Sequence, residues 1–315
     1  MTTPSKSYLK VHYELRPNKQ VERRMLLDAF QRLSILGFDI SNYQYSGMGS
    51  FYFVDFILFH KYLGISDMLS VEHSIDVQKR VEFNKPFDFV KIEFGEIGDF
   101  IDGLSKDKKH ILWLDYDSVI SESITLDLIN ALGHLSPSSI ILLTLDVEPP
   151  STEENTVERW KEYYFREVGS YIGLNNDKKH FAKSKLLKLN VNIIKNVISS
   201  AIKSRENLSF FPLFNFAYAD GHKMITLGGM IGSKSNGLKL KSLDNHGAGY
   251  LRQSFDQDPY VIRVPKITKK ERLYLDSAMP CSNDWSPEEF EFSPEDVKDY
   301  KEIYRYYPNY AELLL

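Results

Sequence analysis

The chain has 315 residues, of which 43% are hydrophobic and 26% charged, and its formal net charge is −4. This composition is that of an ordinary globular protein with a large apolar core. The small negative charge gives no overall attraction to phosphate, so a nucleic-acid partner is not favoured. The single cysteine, Cys281, excludes an internal disulfide, and no apolar run has the length of a membrane span or signal peptide. We therefore expect a cytoplasmic protein without membrane contact.

Hydrophobic residues at every fourth position predict an amphipathic helix from residue 18 to residue 36, entered through Pro17. The apolar residues with this spacing are Val21, Met25, Ala29 and Leu33. The basic residues of the same stretch are Arg16, Lys19, Arg23 and Arg24. They predict a solvated helix face, with contact to a phosphate as the alternative. We assign residues 1–39 to an N-terminal helical cap on the sheet that follows.

From residue 43 onward, short apolar runs alternate with helical stretches, which is typical of βαβ units around a parallel sheet. The predicted strands are 43–46, 68–72, 89–94, 110–115 and 139–146. The last is almost continuously apolar, as expected of a strand covered on both faces. Two further β-rich runs flank Asp220-Gly221, a sequence typical of a hairpin turn. We expect an α/β, Rossmann-like fold with a mainly parallel seven-stranded sheet that ends in an antiparallel hairpin.

The chain after residue 235 differs in character from the sheet-forming part. Its first stretch is small and polar, and residues 284–315 are acidic and rich in tyrosine. We assign 40–235 to one domain and 236–315 to a C-terminal extension that acts as a lid or an interaction subdomain. His246 lies on the polar stretch that could close over a site. The tyrosine-rich tail predicts a packed helix or, alternatively, a surface for a protein partner or for self-association.

A glycine-rich turn after the first predicted strand is the most informative motif, and it has the sequence SGMGS at residues 46–50. Glycine lets the backbone approach a ligand closely, and the start of the next helix offers free N–H groups. Glu72 ends the next predicted strand 23 residues after Gly49. At this spacing an acidic residue accepts the ribose hydroxyls in nucleotide-binding βαβ units. The motif predicts a nucleoside site, with a purely structural turn as the alternative.

At this motif the chain resembles the class I S-adenosylmethionine-dependent methyltransferases, and residues 13–33 and 43–56 are similar to bacterial proteins labelled "putative O-methyltransferase". The resemblance implies S-adenosylmethionine as the cofactor, with the glycine turn beside its methionine moiety, Glu72 on its ribose and Gly95-Glu96 by its adenine. It also implies that Asp115 faces the methionine amino group or the substrate. His73 follows Glu72 directly in the sequence and is expected to reach the cofactor as well. The expected cofactor-binding residues are Ser46, Gly47, Met48, Gly49, Ser50, Glu72, His73, Gly95, Glu96 and Asp115.

Carboxylates stand at the ends of the fourth and fifth predicted strands. Asp115 and Asp117 follow the fourth strand, and Asp146 ends the fifth. Parallel strands open on one carboxyl edge, where such a cluster suits a hard divalent cation such as Mg²⁺. The pattern is similar to the metal-dependent catechol-type O-methyltransferases, although Asp146-Val147 stands where that family has an acid-amide pair. The alternative is that Asp115 hydrogen-bonds substrate or cofactor and that Asp117 caps the next helix.

The function that we expect is methyl transfer to an oxygen of an unidentified acceptor. Catalysis would come from holding acceptor, methyl carbon and sulfur in line, with Asp115 or Asp117 positioning or deprotonating the acceptor. One alternative is a non-catalytic methyltransferase-like module that binds a nucleoside or a partner. Another is an NAD-dependent dehydrogenase, which the absence of a third glycine disfavours. Methylation of DNA amino groups is disfavoured because the fourth strand lacks the Asn/Asp-Pro-Pro-Tyr/Phe motif.

Overall fold

The computed structural model describes residues 16–48, 51–173, 177–243 and 248–309. The helices of these ranges are α1 (Pro17–Ile35), α2 (Val54–Leu63), α3 (Gln78–Phe83), α4 (Ile97–Asp102), α5 (Glu122–His134), α6 (Val157–Val168), α7 (Leu186–Ile202), α8 (Lys234–Lys241), α9 (Lys269–Ala278) and α10 (Pro294–Ile303). The strands are β1 (Gln44–Met48), β2 (Asp67–Glu72), β3 (Val90–Phe94), β4 (His110–Val119), β5 (Ile140–Asp146), β6 (Ser209–Asp220), β7 (His222–Gly232) and β8 (Tyr260–Val261). None of the helices in these ranges is long and apolar enough to cross a membrane.

The eight strands form one sheet in the order β3-β2-β1-β4-β5-β7-β6-β8. Strands β1 to β5 are parallel, and β7 is antiparallel to both β5 and β6. The expected Rossmann-like α/β fold with its terminal hairpin is confirmed. The sheet has eight strands rather than seven because residues 260–261 pair in parallel with β6. The strand order reverses between β1 and β4, and ligands of doubly wound sheets bind at the carboxyl edge beside such a reversal.

Helices cover both faces of the sheet. The apolar residues of α1 and α2 pack on one face together with the C-terminal segment, and those of α4 to α7 pack on the other. Alternate residues of β4 serve the two layers, since Trp113 belongs to the first and Leu112 and Leu114 to the second. Every residue of β5 is buried, as its continuous apolar sequence predicts.

Helix α1 lies where the sequence predicts it, but its basic side is not solvated as predicted. Lys19 has 0% and Arg23 has 5% of its surface exposed. The physical reason is that α1 is covered from two directions, by the sheet on one side and by residues 304–307 of the C-terminal segment on the other. For example, Arg24 donates a 2.6 Å hydrogen bond to the carbonyl oxygen of Tyr307.

The start of α1 is capped by a carboxylate from the hairpin between β6 and β7. Asp220 accepts hydrogen bonds from the backbone N–H groups of Asn18 (3.1 Å) and Lys19 (2.9 Å). These are two of the donors that the first turn of a helix leaves without an internal partner, and a negative charge there also favours the helix dipole. The hairpin therefore fixes the start of α1 at the carboxyl edge of the sheet.

The C-terminal segment shares its core with α1 rather than forming a core of its own. Tyr250, Tyr300, Ile303 and Tyr307 are buried in the same cluster as the apolar residues of α1. On α1, the Asp28 carboxylate accepts hydrogen bonds from three side chains, those of Arg32 (2.8 Å), Tyr250 (2.6 Å) and Tyr306 (2.9 Å). The predicted division into 1–39, 40–235 and 236–315 stays a prediction, and these contacts join its first and last parts.

Candidate active site

The first strand ends later than the sequence predicts. β1 extends to Met48, and Gly47 pairs with Ser70 of β2 on one side and with Trp113 of β4 on the other. Gly47 and Met48 therefore belong to the strand and not to the turn, because β2 pairs with both residues and β4 pairs with Gly47. The connection to α2 comprises residues 49–53, and the predicted site residues Gly49 and Ser50 lie outside the described residues.

Gly47 is required by the packing beneath it. A Cβ atom at this position would stand 2.7 Å from the hydroxyl oxygen of Tyr45 and 3.4 Å from Asp55 Oδ2. Tyr45 donates a hydrogen bond to that Asp55 carboxylate. It is fully buried, with its ring 4.9 Å from those of Phe56 and Phe59, so it has little room to move away. A glycine here leaves the room that the buried Tyr45 hydroxyl occupies at the carboxyl end of β1.

The turn into α2 contains a residue in an uncommon backbone conformation. Phe53 has φ 46°, in the left-handed region, and only 1% of its surface is exposed. A bulky residue in this region costs about 1–3 kcal/mol and persists only where packing holds it. Here the ring packs edge-on against Phe56 with 5.4 Å between centroids. The connection thus reaches a glycine-like conformation near the place where the dinucleotide fingerprint would have its third glycine.

The ends of β2 and β3 bring together four of the predicted cofactor-binding residues. The backbone N–H of Gly95 donates a 3.1 Å hydrogen bond to the carbonyl of Glu72, and nothing lies within 4 Å of the place where its Cβ would stand. Beside them, His73 Nδ1 lies 3.0 Å from Glu96 Oε1, and both of these side chains are exposed. This edge therefore has open space at Gly95 with carboxylate and imidazole groups around it.

Glu72 is partly buried at this edge. Its Oε1 accepts a 3.0 Å hydrogen bond from the backbone N–H of Ser74. Burial raises the pKa of Glu72, and this effect outweighs the Ser74 hydrogen bond and the charge of His73, which act in the other direction. A buried carboxylate gains from any further hydrogen-bond donor that a ligand supplies. Glu72 is thus suited to accept hydrogen bonds from ligand hydroxyls.

Ser46, another predicted site residue, is completely buried within β1. Its hydroxyl has no hydrogen-bond partner among the described residues. A side chain with no exposed surface does not reach the open space at this edge of the sheet.

Asp115 lies further along the same edge, next to a buried lysine from α1. Lys19 Nζ is 2.8 Å from Asp115 Oδ1, 3.0 Å from Glu22 Oε2 and 3.1 Å from the hydroxyl of Tyr218. Burial favours the neutral form of Asp115, but Lys19 outweighs burial and lowers its pKa. About a third of the side chain is exposed, since its relative accessible surface is 31%. Asp115 is therefore a partly exposed, ionised carboxylate, and its low basicity suits positioning better than proton removal.

A buried guanidinium without partners lies near this ion pair. Arg23 follows Lys19 by one helical turn, and neither its Nε nor its Nη1 has a hydrogen-bond partner within the ranges that the structure describes. Lys19, Glu22 and Arg23 were not predicted as site residues. Their i, i+3, i+4 spacing, which puts three charges on one helix face, was the available signal.

The carboxylates predicted to hold a metal ion do not come together. Asp115 pairs with Lys19, Asp117 is exposed, and Asp146 lies 2.8 Å from His222 Nδ1. Within the described part of the chain, no three His, Cys, Asp or Glu side chains are grouped as metal ligands. β4 continues to residue 119 with an irregular register after Asp115, so Asp117 lies within the strand and not in a loop after it.

Asp117 is also not the cap of the next helix, as the alternative had it. α5 begins after Ser121, whose hydroxyl accepts a hydrogen bond from the backbone N–H of Ile124. Because β4 is longer than predicted, the cap position moves four residues along the chain. His246, the expected lid residue, lies outside the described residues.

The chain belongs to the family described as "Putative O-methyltransferase", whose model matches residues 11–315. The expected class, an S-adenosylmethionine-dependent methyltransferase, is thereby confirmed. A "putative O-methyltransferase from Klebsiella pneumoniae" is similar in structure at 13% identity and TM-score 0.39, covering 73% of this chain and 92% of that one. The "O-methyltransferase from Bacillus cereus in complex SAH" is similar at 12% identity and TM-score 0.37, covering 73% and 93%. No curated protein matches the chain.

Proposed function

We propose that this protein transfers the methyl group of S-adenosylmethionine to an oxygen atom of a small-molecule acceptor, in the cleft at the carboxyl ends of β1 to β4. The observation that carries the proposal is the convergence of Glu72, Gly95 and Asp115 at one sheet edge, beside the reversal of strand order, in a chain of the methyltransferase family. The fit of the cofactor to these residues follows from the space and charges that they present.

The edge formed by β2 and β3 suits the nucleoside. Glu72 is a partly buried acceptor for the ribose hydroxyls. The space above Gly95 is open and leaves room for a flat base beside the exposed pair of His73 and Glu96.

The edge formed by β1 and β4 suits the reacting end. When bound, S-adenosylmethionine supplies a methyl group activated by a positively charged sulfur. Asp115 accepts hydrogen bonds from an ammonium group or an acceptor hydroxyl, and the Lys19 ion pair holds it in place and ionised. In this proposal Asp115 positions a reacting group and does not remove its proton. Asp117 is exposed on the same strand and is free to interact with an acceptor at the rim.

Three parts of the proposal rest on the sequence. They are the binding of a divalent cation, the role of the tail as a surface for a partner, and the cytoplasmic location. The separation of Asp115, Asp117 and Asp146 gives the cation no support from the geometry. The packing of Tyr300 and Tyr307 against α1 leaves the tail less free for a partner than its composition suggests.

The test is formation of S-adenosylhomocysteine from S-adenosylmethionine in the presence of catechols, phenols and hydroxy acids, each with Mg²⁺ and with EDTA. We expect turnover with at least one hydroxylated acceptor, reduced at least tenfold in Asp115→Asn. Exposed Asp88 provides the control Asp88→Asn, which keeps full activity. Cofactor binding without turnover on oxygen, nitrogen or sulfur acceptors would support the non-catalytic module instead.

A further inference from the structure

The segment from residue 178 to residue 205 has a charge pattern that sets it apart from the rest of the chain. It contains eight lysine and arginine residues and no aspartate or glutamate, in a protein whose formal net charge is −4. Four of its lysines form ion pairs with carboxylates from outside the segment, those of Glu148, Glu158, Asp177 and Asp256. Arg205 donates two hydrogen bonds to carbonyl oxygens near the end of α5. The positive charge that stays without a counter-charge is therefore confined to a few positions.

Two lysines of this segment line the same cavity. Within residues 16–48, 51–173, 177–243 and 248–309, neither Lys185 nor Lys188 forms an ion pair. Both border a cavity of about 420 Å³ beside α7, whose opposite wall includes Tyr171, Ile172 and His180. This volume lies within the range of about 300–1,000 Å³ that is usual for small-molecule sites. The cavity therefore has the size of a ligand site and two ammonium groups that are available to a ligand.

Helix α7 presents the polar groups of the cavity on one face. Lys188 follows Lys185 by three positions, and Asn192 and Asn196 follow at further steps of four, which is the spacing of a single helix face. Lys185 directly precedes the first turn of α7, where the helix dipole favours a negative charge. At the other end of the face, Asn196 Nδ2 donates a 2.9 Å hydrogen bond to the carbonyl oxygen of Tyr171. The positive end of the cavity is thus at the start of α7.

The same cavity has an apolar side. Leu189 and Ile193 of α7 border it and belong to the core beneath the helix, and Tyr171 and Ile172 pack against that core. None of the described residues that line the cavity is an aspartate or a glutamate. Lysine binds phosphate as a point charge, and two lysines match the two charges of a phosphate monoester. The lining therefore suits a molecule with a phosphate at one end and an apolar body at the other.

We propose that this cavity binds a small phosphate monoester with an apolar body, and that Lys185 and Lys188 hold its phosphate. The proposal does not depend on methyl transfer, because α7 packs on the face of the sheet opposite to α1 and the cavity residues lie outside the candidate cleft at the ends of β1 to β4. A nucleic-acid strand fits less well, since the neighbouring Lys178, Lys179 and Lys183 are already paired with carboxylates. A strand needs a continuous row of available cations.

The test is calorimetry of the full chain with phenyl phosphate, inorganic phosphate and phenol, in a phosphate-free buffer at constant ionic strength. We expect phenyl phosphate to bind with a dissociation constant of about 1 mM or below and more tightly than either of its halves. Lys185→Gln and Lys188→Gln should each weaken its binding about fivefold, the upper range for an ion pair between exposed groups. Lys203→Gln, at the end of α7 and outside the cavity, makes the same change of charge and is the control. Because Lys185 and Lys188 are exposed and unpaired, both variants should keep the wild-type thermal midpoint.

Several results would overturn the proposal. One is a wild type that does not bind phenyl phosphate, or that binds inorganic phosphate equally well. Another is an equal loss of affinity in Lys203→Gln and in the two cavity variants, which would assign the binding to overall charge. A single-stranded oligonucleotide is the last probe. If it binds more tightly than phenyl phosphate and its binding is weakened in Lys185→Gln and Lys188→Gln, the surface takes a nucleic acid and the small-ligand site is wrong.

Discussion

Lys19 and Asp115 lie 96 positions apart in the sequence, and their side chains form a 2.8 Å ion pair at the carboxyl edge of the sheet. The pair joins the N-terminal helix to β4, so α1 is a wall of the cleft as well as a cover for the sheet. Glu22, which is fully buried, takes part in the same cluster through the 3.0 Å contact with Lys19. Stability and site geometry therefore depend on one lysine.

The first prediction concerns this lysine. Lys19→Met leaves the Glu22 carboxylate buried without its counter-charge, and breaking a buried pair in this way costs about 3 kcal/mol. We expect urea denaturation to show a loss of this size in the free energy of unfolding. The pKa of Asp115 should rise in the same variant, because Lys19 is the group that holds it low.

The matched control is the double variant Lys19→Met with Glu22→Met, in which no buried carboxylate is left alone next to α1. It should recover most of the lost stability, since apolar replacements of buried pairs are often neutral. Equal stability of the single and double variants would show that Glu22 does not depend on Lys19.

The second prediction concerns Gly47. Gly47→Ala puts a methyl group 2.7 Å from the Tyr45 hydroxyl oxygen, which packing holds in place. Overpacking of this kind costs about 2 kcal/mol, and we expect a thermal midpoint lowered accordingly together with weaker cofactor binding. Gly133→Ala in α5 is the control, because nothing lies within 4 Å of its Cβ position and alanine favours a helix by about 1 kcal/mol. If both alanine variants behave alike, the close approach at Gly47 is not a constraint.

The third prediction is a pH dependence of cofactor binding. Hydrogen bonds from ribose hydroxyls favour the ionised form of Glu72, so binding lowers its pKa and releases a proton. Burial has raised the pKa of Glu72 above 4.5 in the free protein. Affinity for S-adenosylhomocysteine should therefore fall as the pH is lowered towards that raised pKa and should level off above it. Calorimetry between pH 5 and pH 8 measures this, with Glu72→Gln expected to bind more weakly and to lose the Glu72 contribution to the slope.

The fourth prediction concerns the hydrogen bonds that join α1 to the C-terminal segment. Burial tends to raise the pKa of Asp28, but hydrogen bonds from Arg32, Tyr250 and Tyr306 outweigh it and lower the pKa below 3.8. A carboxyl group with a lowered folded pKa stabilises the protein above its unfolded pKa, and this contribution is lost as the pH falls through the folded value. The difference in unfolding free energy between wild type and Asp28→Asn should be constant near neutral pH and shrink below about pH 4.

Thermal unfolding at a series of pH values checks this prediction, with exposed Asp88→Asn as the control. A difference that stays the same down to pH 2 would contradict it.

The same contacts bear on truncation of the tail, because removing residues 283–315 takes Tyr300, Ile303 and Tyr307 out of the core of α1. Point substitutions are therefore the better way to separate partner binding from stability.

Local patterns in the sequence predicted most of the sheet. The continuous apolar run at 140–146 and the Asp220-Gly221 turn gave β5 and the hairpin, because these signals depend on a few neighbouring residues. Glu72 and Gly95 were placed at adjacent strand ends, and the structure joins them by a hydrogen bond. Local patterns do not predict features that depend on distant segments. The two-residue strand β8, which pairs with β6, is one such feature.

The buried charges of α1 are the clearest example of this limit. Lys19 and Arg23 have the spacing of a solvated helix face, and only the covering C-terminal segment and the sheet make that face internal. In the same way, the length of β1 depends on its partners, since Gly47 pairs with Ser70 and Trp113. Local glycine content favoured a turn at that position, and pairing on both sides favoured a strand.

The most direct test of the central claim is calorimetry of the full chain with S-adenosylmethionine, S-adenosylhomocysteine and NAD, repeated for Glu72→Ala and for the exposed control Glu93→Ala on β3. The account predicts binding of the first two ligands in the micromolar range and no comparable binding of NAD. It predicts at least tenfold weaker binding in Glu72→Ala and unchanged binding in Glu93→Ala. Preference for NAD, absence of nucleoside binding, or equal affinity in wild type and Glu72→Ala would contradict a cofactor site at the ends of β2 and β3.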